Sequence, residues 1–335
     1  MRGREAKPPG RSCPASYGYA PSAFARPADF EADVLYVAGG VYGNLPALLE
    51  LERMAALERE AVRLVFNGDY HWFDAAPADF AAVERAVMRH AALRGNVETE
   101  IAGHDDANGC GCAYPESVPD EDVERSNRIL QRLRRAARAA EAETPGAMAR
   151  LAALPMHAVV DVGGSRIAVV HGDAWALAGW SFAHDVLHDD SNAARLAALF
   201  EQAAVDGFAS THTCLPALKA FHTALGERFV VNNGSAGMPN FRRTRHGVIT
   251  RIATVPVAAA LEGARLYGAD IAGVYVDALA VRYDVAAWDA TFARLWPHGS
   301  DAALSYGRRI VDGPAFSIDD ALGRSAPAAC IALAA

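Results

Sequence analysis

Apolar and amphipathic stretches alternate along the first hundred residues of the chain. An apolar run at about 33–39 predicts a buried strand, and the spacing of apolar residues over about 45–61 predicts an amphipathic helix. A second strand is predicted at 63–66, a helix at about 78–92, and a short extended segment at 92–94. Strands that alternate with helices in this way are typical of a parallel sheet with crossover helices.

The remainder of the chain has a different pattern, in which an irregular loop and two helices precede a series of short strands. Apolar segments that flank glycine-containing turns predict β-hairpins. The predicted elements are an irregular loop at 99–118, helices at about 119–141 and 144–153, a hairpin at 157–173, a helix at about 192–204, strands and hairpins over 207–284, and a last helix at about 286–296. We interpret the chain as an N-terminal arm, 1–32, followed by one α/β domain, 33–335. This domain has a helical insertion at about 99–155 and C-terminal strands and a helix at about 247–335.

Composition and charge narrow the classes of protein that fit. The chain has 335 residues, of which 52% are hydrophobic and 21% charged, and this balance suits a globular protein with a large core. The net charge of −8 argues against nucleic acid as the principal partner, since phosphate backbones favour basic surfaces. No apolar run reaches the ~18 residues of a membrane span, and the N-terminal stretch lacks the apolar segment of a secretory signal. Because five cysteines are an odd number in a long chain, we expect no disulfide framework and a cytoplasmic location.

Polar side chains follow four of the predicted strands, at the point where each strand ends. They are Asp69, Asn96, His171 and His212. One carboxylate, one amide oxygen and two imidazoles form a ligand set that suits Zn, Fe or Mn. Taken singly, each has an ordinary structural reading, such as a turn cap or a core histidine. The carboxyl ends of parallel strands meet at one edge of a sheet, so the four together predict a metal site.

Five short segments carry a specific resemblance. They are, in chain order, YGNLPALLELERM, FNGDYHWFD, RGNVE, VVHGD, and THTCLP with the following VVNNGSAGMP. Their order and spacing resemble the calcineurin-like metallophosphoesterase superfamily, in which five motifs at strand ends build a two-metal phosphoesterase site. The match extends from about residue 33 to 236. It implies a two-sheet α/β/β/α sandwich with a helical insertion, and hydrolysis of phosphoesters or phosphoanhydrides.

Carried over position by position, the resemblance divides the metal site into an intact half and an altered half. The ligands that it implies for the second metal are all present, namely Asp69, Asn96, His171 and His212. For the first metal, Gly40 and Tyr42 stand where the family has an aspartate and a histidine. Cys214 stands where the family has its last histidine. The chain therefore resembles a divergent member whose first metal position is altered.

The altered half allows three interpretations: one bound metal ion, two bound metal ions, or no functional metal. In the favoured one, the protein binds one divalent transition metal ion (Mn, Fe or Zn), which activates a water molecule as the nucleophile. In the other, two ions bind, with Cys214 as a soft ligand and with His71 turned back from its turn toward the metal region. Tyr42 then adds a phenolate or donates a hydrogen bond to a substrate oxygen.

The general acid of the reaction is a separate question. Many family members have a histidine after the third-motif asparagine, and this chain has Val97 there. Glu98 is the nearest titratable group and a candidate catalytic acid, since burial raises the pKa of a carboxyl. The alternative is that Glu98 stabilises a turn or orients a histidine.

Further candidates lie in the loops that follow the third and fourth motifs. Cys110 and Cys112 form a CxC pair that can bind metal, form a disulfide or pack quietly, and we include them as candidate substrate contacts. Trp175 and Trp180 are candidates for the wall of a substrate pocket, with core packing as the alternative. A nearby pair, His184 and His188, has i, i+4 spacing but lacks the glutamate of the metalloprotease motif, which favours a surface role.

The leading functional hypothesis is a metal-dependent hydrolase that acts on a small phosphorylated molecule. One rival is a non-catalytic protein that retains the fold and binds metal or ligand without turnover. Another is a different metal-dependent chemistry that uses Cys214 or the CxC loop. Fold alone does not decide among these hypotheses, and the sequence carries no indication of oligomeric state.

Overall fold

The computed structural model describes residues 8–103 and 106–324. Parts of the predicted arm (1–7), loop (104–105) and C-terminal region (325–335) lie outside the described residues. The strands are β1 Phe30–Glu31, β2 Val34–Ala38, β3 Val62–Asn67, β4 Ala91–Leu93, β5 His157–Val162, β6 Ser165–Val170, β7 Gly207–Ser210, β8 Ala217–Thr223, β9 Gly226–Asn232, β10 Gly247–Ala253, β11 Arg265–Ile271 and β12 Val274–Val281. The α-helices are α1 Leu45–Ala55, α2 Pro77–Val87, α3 Asn96–Ala102, α4 Asp120–Ala140, α5 Ala147–Ala153, α6 His184–His188, α7 Ala193–Ala203, α8 Val285–Leu295, α9 Asp301–Asp312 and α10 Ile318–Ala321.

The strands form two six-stranded mixed sheets. One has the order β1-β5-β6-β7-β9-β8, and the other has the order β11-β12-β10-β2-β3-β4. In the second sheet β2, β3 and β4 are parallel, and β10 pairs antiparallel to β2. In the first sheet β6, β7 and β9 are parallel. The carboxyl ends of these parallel strands carry the loops that hold the predicted site residues.

Alternation along β2 shows how the layers are built. Val34 and Tyr36 face a cluster that includes Leu48 of α1, whereas Val37 faces a cluster formed between the two sheets. The outer face of the first sheet packs against α7 through residues such as Phe200. Successive strand residues point to opposite faces, so a strand covered on both sides is apolar throughout, as β2 is. The layers are helix, sheet, sheet and helix, which confirms the predicted α/β/β/α sandwich.

The entry to α1 shows how the sequence fixes the loop that follows β2. The side-chain oxygen of Asn44 accepts a hydrogen bond from the amide of Ala47 at 3.0 Å, which caps the helix. Its Nδ2 donates to the carbonyl of Gly237 at 2.9 Å, which ties this turn to the loop after β9. One side chain therefore both starts the helix and holds two loops of the site edge together.

The structure differs from the predicted element bounds in several places. Helix α1 ends at Ala55 rather than near 61, because the chain turns there toward β3 and Glu58 is drawn to Arg251 at 2.7 Å. Helix α3 extends to Ala102 and so includes the first residues of the irregular loop predicted at 99–118. The last two helices, α9 and α10, lie beyond the last helix that the sequence pattern predicts, at about 286–296. In α9 the residues Ser305 and Gly307 weaken the helical signal.

Much of the described part of the arm is docked rather than free. Tyr17 and Phe24 are buried, and the Tyr17 hydroxyl donates to Glu100 at 2.6 Å. Residues Phe30–Glu31 pair in parallel with β5 and so extend the first sheet. In the described ranges, no helix combines the length and the apolar character that crossing a bilayer requires.

Candidate metal centre

Six strand ends supply the loops of one edge, and main-chain hydrogen bonds join those loops. The amide of Gly40 donates to the carbonyl of Gly68 at 3.3 Å, and the amide of His212 donates to the carbonyl of His171 at 2.8 Å. Each of these bonds joins two loops of the same sheet, and the amide of Ala236 donates to the carbonyl of Gly39 at 2.8 Å, which joins the loops of the two sheets. Side chains from distant parts of the sequence are thereby held in register. The edge is therefore a rigid platform for a site.

Four predicted ligands converge at this edge. The Nε2 atom of His171 lies 3.1 Å from Oδ1 of Asn96, 3.2 Å from Nδ1 of His212 and 3.4 Å from Oδ1 of Asp69. All four side chains are buried. The ligand atoms of the carboxylate and the two imidazoles lie within 4.8 Å of one another, so they form a candidate metal-binding group. This arrangement matches the half of the site that the resemblance marks as intact.

Hydrogen bonds on the far side of two of these ligands fix their orientation. Nδ1 of His171 donates to the carbonyl of Asn67 at 2.8 Å, and Nδ2 of Asn96 donates to the carbonyl of Cys110 at 2.9 Å. Each of these two donor atoms is bound to a carbonyl, so Nε2 of His171 and Oδ1 of Asn96 are the atoms that face the cluster. Such outer hydrogen bonds set the tautomer and the ring orientation of metal ligands.

The second imidazole is oriented in the same way by the CxC loop. Nε2 of His212 donates to the carbonyl of Cys112 at 2.9 Å, and that carbonyl also accepts a bond from Nε1 of Trp180 at 3.1 Å. Burial, followed by the charge of His171, lowers the pKa of His212 to about 4. A neutral imidazole with its Nδ1 lone pair toward the cluster is the form that binds a metal ion.

The donor set fits a divalent transition metal. Burial acts to raise the pKa of Asp69, but the neighbouring His171 outweighs it, so the pKa is lowered and the carboxylate is anionic. With Asn96 and His212 it presents acceptor atoms that converge on Nε2 of His171. Burial acts to lower the pKa of His171, but Asp69 outweighs it and raises the pKa, so a proton on this nitrogen compensates the acceptors in the metal-free protein. Converging buried acceptors repel one another unless a cation lies among them, and nitrogen and oxygen ligands suit Zn, Fe and Mn.

Glu98 forms hydrogen bonds to the main chain of the loops that carry the cluster. Its carboxylate accepts main-chain bonds from Asp69 and Gly95, both at 2.8 Å, and from Tyr70 at 3.1 Å. Burial, followed by the charge of Asp69, raises the pKa of Glu98 to about 7. Asp69 has a φ of 52°, a left-handed conformation that is strained for a residue with a side chain. The bonds to Glu98 hold that turn, and the role of catalytic acid stays a prediction.

The altered half of the site is filled by side chains. The hydroxyl of Tyr42 contacts the sulfur of Cys214 at 2.5 Å, and a Cβ added to Gly40 would lie 2.7 Å from the Tyr42 ring. Burial raises the pKa of Tyr42 well above its usual value, and burial raises the pKa of Cys214 to about 11. Both groups are therefore protonated at neutral pH in the metal-free protein, so either would have to release a proton to bind a metal ion.

His71 does not turn back toward the cluster, which corrects that expectation. Its Nδ1 contacts Asp74 at 2.5 Å, its Nε2 lies 3.4 Å from Glu84, and its ring stacks on Phe80 with 3.9 Å between ring centroids. Burial acts to lower the pKa of His71, but these carboxylates outweigh it and raise the pKa to about 10. The two acidic partners hold the imidazole on the opposite side of the turn, as part of a buried ion-pair network.

A cavity of about 60 Å³ opens beside the cluster. Its wall includes the predicted residues Asp69, Asn96, His212, Tyr42, Cys214 and Trp180. Cys112 also lines it and pairs with Cys110 in a disulfide, so the CxC loop does reach the site. One lining residue that sequence reasoning missed is Arg309 of α9.

Three other predicted residues lie away from the cavity. The guanidinium carbon of Arg195 lies 5.0 Å from the centroid of the Trp175 ring, and Trp175 does not line the cavity. His188 contacts the carbonyl of Ala321 at 3.1 Å, and His184 packs against Phe316. The two histidines face the C-terminal segment, in agreement with the favoured interpretation that they do not form the metal site.

Comparisons with known proteins agree with this architecture. No family model matches the chain, and no curated protein matches it. A hypothetical protein of Pyrococcus horikoshii OT3 has a similar structure, with a TM-score of 0.53 and 18% identity over 84% of this chain and 99% of that one. A metallophosphoesterase of Sphaerobacter thermophilus is similar with a TM-score of 0.50 and 15% identity, over the same shares of the two chains. These likenesses confirm that the chain has the metallophosphoesterase fold.

Proposed function

We propose that the protein is a metal-dependent hydrolase of phosphoester or phosphoanhydride bonds in a small molecule, acting in the cytoplasm. The proposed ligands of its metal are Asp69, Asn96, His171 and His212. The observation that carries the proposal is the convergence of these four side chains, three of which are oriented by a main-chain carbonyl on their outer side. The sequence expectation of one equivalent of Mn, Fe or Zn agrees with an intact half and a filled half.

The chain's own groups have distinct roles in this proposal. A divalent ion, when bound, supplies Lewis-acid chemistry, which makes a water molecule more acidic and polarises a phosphoryl oxygen. Asp69 supplies the anionic ligand, and His212 is kept neutral and oriented by the CxC loop. Trp180 and other apolar lining residues limit the access of bulk water to the cavity, which strengthens electrostatic interactions inside it.

A second candidate function is a non-catalytic protein that binds one metal ion or a phosphorylated ligand. The filled first position favours it, because Tyr42 and Cys214 replace the groups that build the two-metal clamp. The two candidates share the same cluster and differ only in turnover.

Metal analysis and hydrolysis assays test the proposal together. Protein purified without chelator is expected to contain about one equivalent of metal and to hydrolyse p-nitrophenyl phosphate. Asp69→Ala and His171→Ala are each expected to lose both properties, whereas His222→Ala, at an exposed position on β8, is expected to keep them. Bound metal without turnover on monoesters, diesters and anhydrides, with Mn, Fe or Zn, would establish the non-catalytic candidate instead. Absence of bound metal under all these conditions would refute the hydrolase and the metal-binding form of the second candidate.

A further inference from the structure

Arg309 is a buried cation in the wall of the cavity beside the metal cluster. It lies on α9, a helix outside the five motifs, and only 2% of its surface is exposed. Its Nη2 donates to the carbonyl of Cys214 at 2.8 Å, and its Nε donates to the carbonyl of Pro239 at 3.4 Å. These two bonds fix the guanidinium plane against the loops of the fifth motif.

The charge of Arg309 has no carboxylate partner within ion-pairing distance among the described residues. Another fully buried arginine, Arg251, shows the usual arrangement: its Nε lies 2.7 Å from Glu58 and its Nη1 lies 3.6 Å from Asp277. A buried charge is costly unless an opposite charge compensates it, and neutral carbonyls compensate only in part. An unpaired guanidinium in a cavity wall is therefore suited to an anionic ligand.

Arg309 lies next to the altered half of the metal site. It contacts Cys214, which stands at a first-metal ligand position and whose sulfur in turn contacts the Tyr42 hydroxyl. Burial raises the pKa of both of these groups, and the charge of Arg309 acts in the opposite direction on each. The positive charge of the guanidinium thus lies near the place where the family's first metal would supply its own.

We propose that Arg309 binds the phosphoryl oxygens of the substrate and supplies the positive charge that the missing first metal ion would otherwise contribute. This inference rests on the proposed function. A divalent ion and the Asp69 carboxylate leave one positive charge, and Arg309 adds a second. Asp122, the other carboxylate of the cavity wall, is paired with Arg125 at 2.9 Å and does not change this count. Two positive charges match the phosphoryl group of a phosphomonoester, which carries nearly two negative charges at neutral pH. The substrate class is therefore a phosphomonoester rather than a diester, which carries a single charge.

Calorimetric titration with inorganic phosphate tests the role of Arg309 without relying on turnover. Mn²⁺-loaded Arg309→Gln is expected to bind phosphate at least about tenfold more weakly than the wild type, since a charge-assisted bond is lost. Arg309→Lys is expected to recover part of the affinity because it keeps the charge. The matched control is Arg308→Gln, at the exposed neighbouring position on the same helix, and it is expected to bind as the wild type does.

Two further measurements separate ligand binding from a structural role. Arg309→Ala is expected to regain phosphate affinity when guanidinium chloride is added at millimolar concentration, which a merely structural loss would not show. In the wild type, phenyl phosphate is expected to compete with inorganic phosphate more strongly than diphenyl phosphate does. In Arg309→Gln, the difference between the affinities of these two competitors is expected to be smaller. Stronger competition by the diester would overturn the assignment to monoesters.

The outcomes distinguish this inference from the proposed function. The titrations are repeated without Mn²⁺, so the contribution of Arg309 is measured whether or not the cluster binds metal. Equal phosphate affinity of the wild type and Arg309→Gln, in protein with equal melting temperature and metal content, would overturn the inference and leave the hydrolase proposal standing. If the wild type binds no metal but its phosphate affinity still depends on Arg309, the hydrolase proposal is refuted and the inference about Arg309 is not.

Discussion

The hydroxyl oxygen of Tyr42 lies 2.5 Å from the sulfur of Cys214, and these two residues stand at two of the positions where the resemblance implies ligands of a first metal. Both have left-handed backbone conformations, with φ values of 55° and 61°. The Tyr42 ring folds over Gly40, where any side chain would collide with it. The three departures from the family pattern therefore belong together, because the tyrosine fits only where the aspartate is missing. Strained residues of this kind often mark functional sites.

Restoring the family's aspartate alone is expected to destabilise the protein. In Gly40→Asp the new Cβ lies 2.7 Å from the Tyr42 ring and the residue keeps a φ of 57°, so we expect a loss of about 3 kcal/mol in the free energy of unfolding. Adding Tyr42→His removes the collision, and the double variant is expected to regain part of that stability. Urea unfolding of the two variants and of Tyr42→His alone measures the coupling.

The same series tests whether the first metal position can be rebuilt. Addition of Cys214→His to the double variant places all the ligand types of the family in the altered half, and we expect its metal content to rise from about one equivalent toward two. Unchanged stability of Gly40→Asp, or independent effects of the changes at 40 and 42, would contradict the coupling that the structure shows.

The intact half of the site could be predicted from sequence because its signal is local. Asp69, Asn96, His171 and His212 all lie just after short apolar strands: His171 directly, Asp69 and His212 after one residue, and Asn96 after two. The alternation of strands and helices implies that such strand ends meet. The fold class follows from the same pattern. This prediction requires only the residue types and their positions relative to the strands. It does not require the conformations of the side chains.

Arg309 could not be predicted in the same way, since nothing in its neighbourhood indicates which helix packs on the cavity. Ser305 and Gly307 weaken the helical pattern of α9. The contact of Arg309 with Cys214 joins residues 95 positions apart. Long-range packing of this kind depends on the complete tertiary structure and leaves no periodic signature.

The direction of a side chain within a turn could also not be predicted from the sequence. His71 lies two residues after Asp69, a spacing that allows either side of the turn. The direction is decided by Asp74 and by Glu84 of α2, which attract the imidazole away from the cluster. Similarly, Trp175 and Trp180 are equivalent by composition, and only the second lines the cavity.

The CxC loop is expected to control metal affinity. The carbonyls of Cys110 and Cys112 accept the bonds that orient Asn96 and His212, and the disulfide restrains the loop that presents those carbonyls. We expect the double variant Cys110→Ser/Cys112→Ser to bind Mn²⁺ or Zn²⁺ about 10- to 100-fold more weakly, as is typical when outer partners of ligands are disturbed. Competition with a chromophoric chelator measures the affinity.

Chemical reduction provides an independent form of the same experiment. Treatment of the wild-type protein with a dithiol reductant is expected to weaken its metal affinity, as the double substitution does. Reduction is expected to leave the metal affinity of the double variant unchanged. Cys13→Ser, at an exposed position, serves as the control. Equal metal affinity of oxidised protein, reduced protein and the double variant would show that the carbonyl positions do not depend on the disulfide.

Replacement of Glu98 separates its bracing role from the role of catalytic acid. Glutamine has one acceptor oxygen, so Glu98→Gln leaves at least one of the amides of Asp69, Tyr70 and Gly95 without its acceptor. We expect a loss of about 3 kcal/mol in unfolding free energy and weaker metal binding, since Asp69 depends on these bonds. The exposed change Glu143→Gln is the control. Full stability and metal content with abolished turnover would instead identify Glu98 as the acid.

The imidazole of His157 is expected to make stability depend on pH in the mildly acidic range. It packs against Tyr19 and Phe24, with ring centroids 5.1 and 4.9 Å away. Burial, followed by the charge of Arg26, lowers its pKa from 6.5, and Asp29 offsets this only in part. In this range the unfolded chain binds more protons than the folded chain, so folding stability is lost as the pH falls through about 6.5 toward the folded-state pKa.

Removal of this titration is expected to flatten the acid side of the stability profile. We expect His157→Gln to lose less unfolding free energy than the wild type between pH 7.5 and 5.5, whatever its stability at pH 7.5, because glutamine does not titrate. Denaturant unfolding at several pH values measures the two profiles. His222→Gln changes an exposed imidazole, 84% accessible, and is expected to follow the wild type. A profile of His157→Gln parallel to that of the wild type would place the acid sensitivity in other groups, because the contribution of His157 is fixed by its burial against Phe24.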